Sequence, residues 1–454
     1  MRYRTRLSIA LLISAVAAAT SPPARAQEKG EGEAAPPARA QDTEAQASAA
    51  QAASAERTPG VFERIGVTGS LRAGYWSSTR NLDSDDHLGA GMLWIKATRP
   101  LTSRVSFLVE SWTAMRGPFE DGDATGELRE AFVDLHVGKL DVRAGRQIIA
   151  WGRADGINPT DNLTGEDLTL LTPDEDDRRR GTTAVRASYY VGGVSVTGIW
   201  LPEFRALGMP LPPPPPGMRF EGDDHEWPGD QWAARVEQTG HAVDWSVSYF
   251  NGRDLAPDLQ PVPPLPSGQP LQPGGGVVRL AHNRVRVIGG DMTANAGRFG
   301  LRAEAAYVDT DDADGRDPFT KNAFFFLVVG TDRTFAEHLN LNVQYLHRRV
   351  FDYRSPEPGL AMQQAIVSSQ TERVQHGASF RAAYKWLHDT LEAECAAAGY
   401  ADPAGLVLQP KLTYALSDRW KATVGAELFR GEAAGLFGLL RENSTAFVEL
   451  RWSF

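Results

Sequence analysis

Residues 143–163 gather the side chains best suited to handling a polar solute: Arg143, Arg146, Gln147, Trp151 and Arg153, then Ile157-Asn158-Pro159-Thr160-Asp161-Asn162. Guanidinium groups grip carboxylates and phosphates through paired hydrogen bonds and keep their charge at any working pH. Asn158-Pro159 and Asp161-Asn162 are turn formers whose side chains bond nearby backbone. The chemistry on offer is anion contact on a tight loop, with no reactive group beside it. Arg146 and Gln147 are consecutive polar residues at the end of an alternating segment, so one points somewhere costly or the strand bulges. Two readings fit. Either these residues pin a loop, with Arg146 pairing an acidic neighbour, or they touch a passing solute; pinning asks for less.

Elsewhere the chain is poor in catalytic patterns. It has no Gly-x-Ser-x-Gly, no His-Glu-x-x-His and no phosphate-binding glycine loop. The single cysteine, Cys395, allows neither an internal disulfide nor a cysteine zinc site. Asp121-x-Asp123 and Asp309-x-Asp311-Asp312-x-Asp314 imitate calcium loops. Phe132 stands where the first needs its bidentate acid, however, and Thr310 interrupts the second. No metal and no cofactor is expected, and no enzyme. Asp174–Asp177 followed by Arg178-Arg179-Arg180 reads as exposed ion pairs on a loop rim, which stabilise little. On this basis Arg146→Ala is expected to matter more than Arg178→Ala. With 57 acidic against 47 basic residues and a net charge of −10, a nucleic-acid partner is excluded.

The elements that must position these residues are legible in order. Arg2, Arg4 and Arg6 precede an apolar run from Leu7 to Ala19, and Ala24-Arg25-Ala26 offers a small-x-small cleavage site. This predicts a secretory signal peptide over 1–26. Its removal takes away four Arg and no acid, moving the formal charge from −10 to −14. Residues 27–60 hold no Leu, Ile, Val or aromatic side chain and predict a disordered periplasmic linker. From residue 61 to 454 the texture is that of one unit, with a polyproline strut expected at Pro212–Pro216.

That unit is built of short segments alternating with period 2. Ala446, Val448, Leu450, Trp452 and Phe454 oppose Thr445, Phe447, Glu449, Arg451 and Ser453. Val243, Trp245, Val247 and Tyr249 oppose Asp244, Ser246 and Ser248. About 18 such segments (16–18) follow one another, among them 140–151, 280–295 and 320–333, each near the length of a tilted bilayer-crossing strand. After even segments come short turns such as Lys139, Gly192-Gly193, Gly240 and Ser417-Asp418. After most odd ones come long loops, the largest being 152–181, 204–229, 253–279 and 354–372. A soluble sheet has no reason to sort its loops by strand parity. The fold class is therefore all-β: a transmembrane antiparallel β-barrel with short periplasmic turns and long extracellular loops.

If the apolar alternate meets lipid, the other lines the bore. That places Arg143, Arg186, Arg235, Arg284, Arg286, Arg302, Arg348 and Arg381 there, with Glu130, Asp134 and Glu304 among the facing acids. The lumen is mixed in sign and slightly basic, and charged rings of this kind set selectivity.

Gly145-Arg146-Gln147, Trp151-Gly152 and Ile157-Asn158-Pro159-x-Asp161 resemble the signature of an uncharacterised family of proteobacterial porin-like outer-membrane barrels. The Gly-Arg-Gln part is also distantly similar to alginate-export barrels, and the terminal Phe454 resembles the signal by which Gram-negative barrels reach their assembly machinery. The resemblance implies a channel with a polar lumen in the cell outer membrane. The alginate-export type implies an Arg/Lys-lined bore for an acidic polysaccharide, from which this chain departs through its many lumen acids. The expected function is passive, charge-filtered diffusion of small hydrophilic solutes. The alternatives are an export conduit for a polysaccharide or small molecule, or a barrel-anchored surface enzyme or adhesin. Expected partners are outer-membrane lipid, the assembly machinery through Phe454 and the solutes themselves. A homo-oligomer and a periplasmic partner of residues 27–60 are compatible with the chain.

Overall fold

A strand that must present hydrocarbon to lipid on one side and polar groups on the other closes into a barrel, because an open edge would strand its N–H and C=O groups in the bilayer. The computed structural model describes residues 66–78, 87–116, 123–208, 218–222, 231–262, 276–312 and 314–454. The expected signal peptide, the 27–60 linker and the Pro212–Pro216 strut lie outside them.

In chain order the strands begin with β1 (Val67–Ser78), β2 (His87–Pro100), β3 (Val105–Arg116), β4 (Asp123–Val137), β5 (Leu140–Gln147), β6 (Thr182–Val191) and β7 (Val194–Leu201). Next come β8 (Met218–Gly222), β9 (Gln231–Gln238), β10 (Val243–Arg253), β11 (Asp258–Val262) and β12 (Gly276–Ala281). The series ends with β13 (Arg284–Ala296), β14 (Phe299–Thr310), β15 (Phe324–Phe335), β16 (Leu339–Val350), β17 (Val374–Trp386), β18 (Leu391–Ala401), β19 (Ala404–Ala415), β20 (Trp420–Gly431) and β21 (Thr445–Ser453). All but β8, β11 and β12 form one 18-stranded sheet. Chain neighbours in this sheet pair antiparallel, and β1 pairs with both β2 and β21, so the sheet closes on itself. β8, β11 and β12 make a separate three-stranded sheet within the long-loop region.

The seam is closed by the chain's end. Gly69 and Phe454 exchange both backbone hydrogen bonds at 3.0 Å, and the Phe454 ring lies over Gly69, leaving no room for a side chain there. Exposed aromatics form two girdles, as expected of a barrel in a bilayer. Trp245, Phe299, Tyr384, Trp386 and Trp420 stand at the short-turn end, and Tyr75, Trp200, Trp232, Tyr307 and Tyr345 stand toward the long loops.

The simple rule of apolar outside and polar inside holds for the short-turn half and fails in the long-loop half. There both alternates are apolar, because the inward one packs on loops folded into the bore. On β13, Val285 and Val287 are 5% and 3% exposed and point inward, whereas Ile288 and Met292 on the other alternate are 56% and 44% exposed. Ile149, Trp151, Leu163, Phe250, Val287 and Val308 form one such internal cluster. A larger one joins Ile157, Leu168, Phe326, Leu346, Phe429 and Phe437. This corrects the expected inward placement of Arg284 and Arg286. Both share the outer alternate of Ile288 and Met292 at the long-loop rim, where Arg286 pairs with Asp309 at 3.4 Å. The strand boundaries shift for the same reason: β5 stops at Gln147 and β15 begins only at Phe324, since the residues beyond them belong to the packed loops.

Gly69→Val should place a methyl-bearing carbon about where the Phe454 ring and the Trp94 carbonyl now lie, 2.6 Å from each. Overpacking of this kind costs about 1–3 kcal/mol, so the temperature at which the folded electrophoretic form is lost should fall. Gly198→Val, with nothing within 4 Å, should leave it unchanged.

Candidate functional site

β5 ends at Gln147, which still pairs with Thr182 of β6 but has no partner left on β4. Gln147 is fully buried, and its Nε2 donates to the Ala184 carbonyl at 3.0 Å. The Ile148 N–H then turns to Glu130 Oε1 at 2.9 Å. Ile149 and Trp151 enter the internal apolar cluster, and the chain crosses the lumen until it rejoins the wall at Thr182. Gly152 has φ +99°, and a side chain on it would collide with the Glu304 carboxylate.

Glu304, inward on β14, receives this loop. Its Oε2 accepts the N–H groups of Arg153 and Ala154 at 2.9 and 3.0 Å. Its Oε1 accepts the Thr160 N–H and Thr160 Oγ1, both at 2.8 Å. The Arg153 side chain spreads between Asp291, at 3.0 Å, and Glu237. Arg235 reaches Asp291 at 3.3 Å and lies 5.7 Å from the Trp151 ring centre. The second half of the motif is a turn: the Asp161 N–H donates to the Asn158 carbonyl at 3.1 Å, and Asn162 Nδ2 bonds the Pro159 carbonyl at 3.1 Å. Asp161 then accepts the Trp151 N–H at 3.3 Å and pairs with Arg179 at 2.8 Å.

The loop continues to the opposite wall, and here a second expectation is corrected. Asp177, Arg178 and Arg179 are not exposed pairs on a rim, although Asp174 and Asp176 keep an exposed side. Arg178 meets Glu427 on β20 at 3.2 Å, and Arg451 on β21 meets Asp174 at 2.7 Å. Arg72 on β1 bonds Asp177, and Arg129 on β4 donates to the Arg179 carbonyl at 3.0 Å. Asp155 approaches Arg381 on β17 at 3.6 Å. One loop thus bridges β1, β4, β14, β17, β20 and β21 across the lumen.

Arg143 lies inward, with a two-pronged contact to Asp134 at 2.7 and 2.9 Å. Arg186, Arg235, Arg302, Glu304, Arg348 and Arg381 occupy inward alternates of their strands, and Glu130 sits beside the bulge in β4. Arg302 pairs with Asp332 at 3.2 Å. Arg146 is the exception within the motif. It shares the alternate of Val142 and Ala144 and meets Glu203 at 2.8 Å, with its side chain 26% exposed. The acidic partner foreseen for it exists, but on the outer side of the rim. Sequence reading missed Asp291, Glu237, Arg72 and Arg129. Asp291, Glu237 and Arg72 sit on inward alternates of their strands, which was the available signal, whereas Arg129 is the bulged residue of β4, turned inward only because the bulge breaks period 2. What the sequence could not supply was the loop contact.

Burial shifts the loop carboxyls upward, Glu175 to about 8, Glu166 to about 7 and Asp155 to about 6. Asp177 goes the other way: burial opposes its charge, but Arg72 and Arg451 outweigh burial and hold it low. Asp312 bonds the N–H groups of Arg316 and Asp317, closing a turn, and no cluster of three metal-ligating side chains occurs among the described residues.

A closed antiparallel barrel of 18 strands with an inward loop is the architecture of outer-membrane porins. The crystal structure of Pseudomonas aeruginosa OpdK with vanillate aligns over 86% of this chain and 98% of its own, with TM-score 0.51 at 8% identity. An improved structure of the same protein, OccK1 (OpdK), gives the same shares, score and identity. Salmonella typhi OmpF in complex with daunomycin aligns over 86% and 97% at 13% identity, with TM-score 0.41. Residues 120–326, which contain the whole inward loop, match a family described as "Protein of unknown function (DUF1302)". No curated protein matches the chain in sequence. The chain is similar to porin-like outer-membrane barrels of unassigned function.

Two predictions follow from the loop's anchors. Removing one partner of a buried pair costs about 3–5 kcal/mol, whereas a part-exposed pair is worth about 0–1 kcal/mol. Arg178→Ala should therefore lower resistance to urea unfolding far more than Arg146→Ala, reversing the sequence expectation. The second concerns pH. Seated, Glu175 keeps its proton up to about pH 8, while a released loop loses it near the ordinary glutamate value. Seating is therefore favoured at low pH and weakens as pH rises toward 8. Tryptic cleavage at Arg178–Arg180 should rise from pH 6 to 9 relative to Glu175→Gln, in which that rise is blunted.

Proposed function

We propose that the protein is a channel of the outer membrane through which small hydrophilic solutes diffuse passively, filtered by charge where the loop 148–181 narrows the bore. The observation that carries this reading is the loop itself: a polar, arginine-rich segment laid across a barrel wide enough to hold water, with Arg153, Arg178 and Arg179 each matched to carboxylates. Charge placed at the narrowest point filters ions most strongly. Export through the 1–26 signal, hand-over to the assembly machinery through Phe454 and a location in the Gram-negative outer membrane belong to the same proposal. The barrel acts in it as a conduit and not as a catalyst. The apolar packing of the long-loop half favours a narrow or gated conduit over a wide sieve, which keeps an export role for a small molecule as the second reading.

The test is single-channel conductance of the refolded barrel in a planar bilayer, with the reversal potential read across a potassium chloride gradient. Small discrete steps with a weak anion preference are expected, and larger steps in Arg178→Ala. A cation preference would contradict the charge filter. Silence from a folded barrel would shift the reading to the gated export conduit.

A further inference from the structure

On the long-loop side of the Glu304 pin lies a cavity of about 190 Å³, between the motif turn and the upper wall. Its charged lining groups are mostly paired with one another. Arg179 is held by Asp161 at 2.8 Å and Glu166 at 3.8 Å, and Lys321 by Asp254 at 2.6 Å. Arg348 is different. It is 8% exposed, and among the described residues no carboxylate lies within 4 Å of it. Its Nη2 donates to the Ser368 carbonyl at 3.0 Å, its guanidinium lies 3.9 Å from the centre of the Phe324 ring, and its Nε has no hydrogen-bond partner. A buried cation with no carboxylate in contact is costly, and one carbonyl with the faces of Phe324 and Phe326 offsets that cost only in part.

The surroundings narrow what would complete it. Val285, Val308, Phe324, Phe326, Ile157 and Leu436 present hydrocarbon to the same space. From the loop side, Asn158 of the motif lines the cavity with its Oδ1 unpartnered. Asp254 acts on Arg348 through space, but its close contact, at 2.6 Å, is with Lys321. A pocket in which Arg348 has no carboxylate in contact, set among apolar walls and a lone amide, fits an organic acid better than an inorganic ion or a sugar.

We propose that this cavity binds a monocarboxylate with an aromatic or branched apolar body, the carboxylate on Arg348 and the body against Phe324, Phe326 and Val308. The proposal rests on the channel reading and gives it a solute class: the cavity is the first stop for such an acid arriving from the long-loop side. Its planar fork suits Arg348 to bidentate carboxylate contact, which lysine cannot copy.

The probe is benzoate, titrated calorimetrically into the full chain after export, in detergent, with benzamide as the neutral isostere and acetate as the acid without a body. Benzoate should bind at least about tenfold more tightly than benzamide or acetate, a tenfold step being about 1.4 kcal/mol. Arg348→Gln should weaken benzoate at least about tenfold by the same measure, Arg348→Lys less, and Arg316→Gln, on an exposed turn, not at all. Undetectable benzoate binding, equal binding of benzamide, or an unchanged Arg348→Gln would overturn the proposal; equal binding of acetate would overturn the apolar body. The benzoate–benzamide comparison uses the unaltered protein, so a misfolded variant cannot decide it. Conductance without benzoate binding would sink this site and leave the channel standing. Benzoate binding through Arg348 in a barrel that never conducts would do the reverse.

Discussion

Four hydrogen bonds to one carboxylate organise the lumen. Glu304 stands on the inner face of β14, and the loop that leaves β5 brings it the N–H groups of Arg153, Ala154 and Thr160 together with the Thr160 hydroxyl. A buried carboxylate needs this many donors to remain in place. In turn, the loop's backbone has no sheet partner of its own and needs an acceptor at that point. Glycine at 152 is required because any side chain there would enter the space Glu304 occupies. The Trp-Gly-Arg and Ile-Asn-Pro-x-Asp parts of the motif are thus two sides of one socket around a residue far away in sequence.

Once the loop is seated at Glu304, its remaining length must cross the lumen, and the far wall is charged to receive it. Arg72, Arg129, Glu427 and Arg451 meet Asp177, the carbonyls of residues 176 and 179, Arg178 and Asp174 respectively. Ion pairs here sit between protein surfaces and away from bulk salt, so they fix position more than they add stability. Above this layer the strands lose their alternation and the loops pack on them as in a soluble core. The barrel therefore has a polar half toward the short turns and a filled half toward the long loops, with the charged layer between them.

The sequence carried the wall almost completely, because a lipid-facing strand must alternate and its turns must sort by parity. β6 and β7 begin at the residues where their patterns begin, and the other strands lie within a few residues of theirs. Their failures are informative. Alternation alone puts Arg284 and Arg286 in the lumen, because Val285 and Val287 are apolar, and an apolar alternate looks the same whether it faces lipid or a loop. A run of acids followed by a run of bases usually is exposed, and that pattern alone puts Arg178 on the surface. Nothing in a single sequence says that residues 174–178 meet β20 and β21, since those contacts span more than two hundred residues. The Gly-Arg-Gln segment stood out for a true reason, the break in period 2, yet its arginine anchors the rim, and the bore is held by Arg153 and Arg178.

The central claim is that the loop lies across the bore on its Glu304 socket in the membrane. The most direct measurement is cross-linking of Thr160→Cys with Gly289→Cys, in a Cys395→Ser background, in outer membranes from cells producing the full chain. The Thr160 methyl lies 2.5 Å from the site of a side-chain carbon on Gly289, within reach of a disulfide. The account predicts a disulfide formed in nearly every molecule, with neither cysteine open to a water-soluble maleimide. Two free cysteines, both readily labelled, would contradict it.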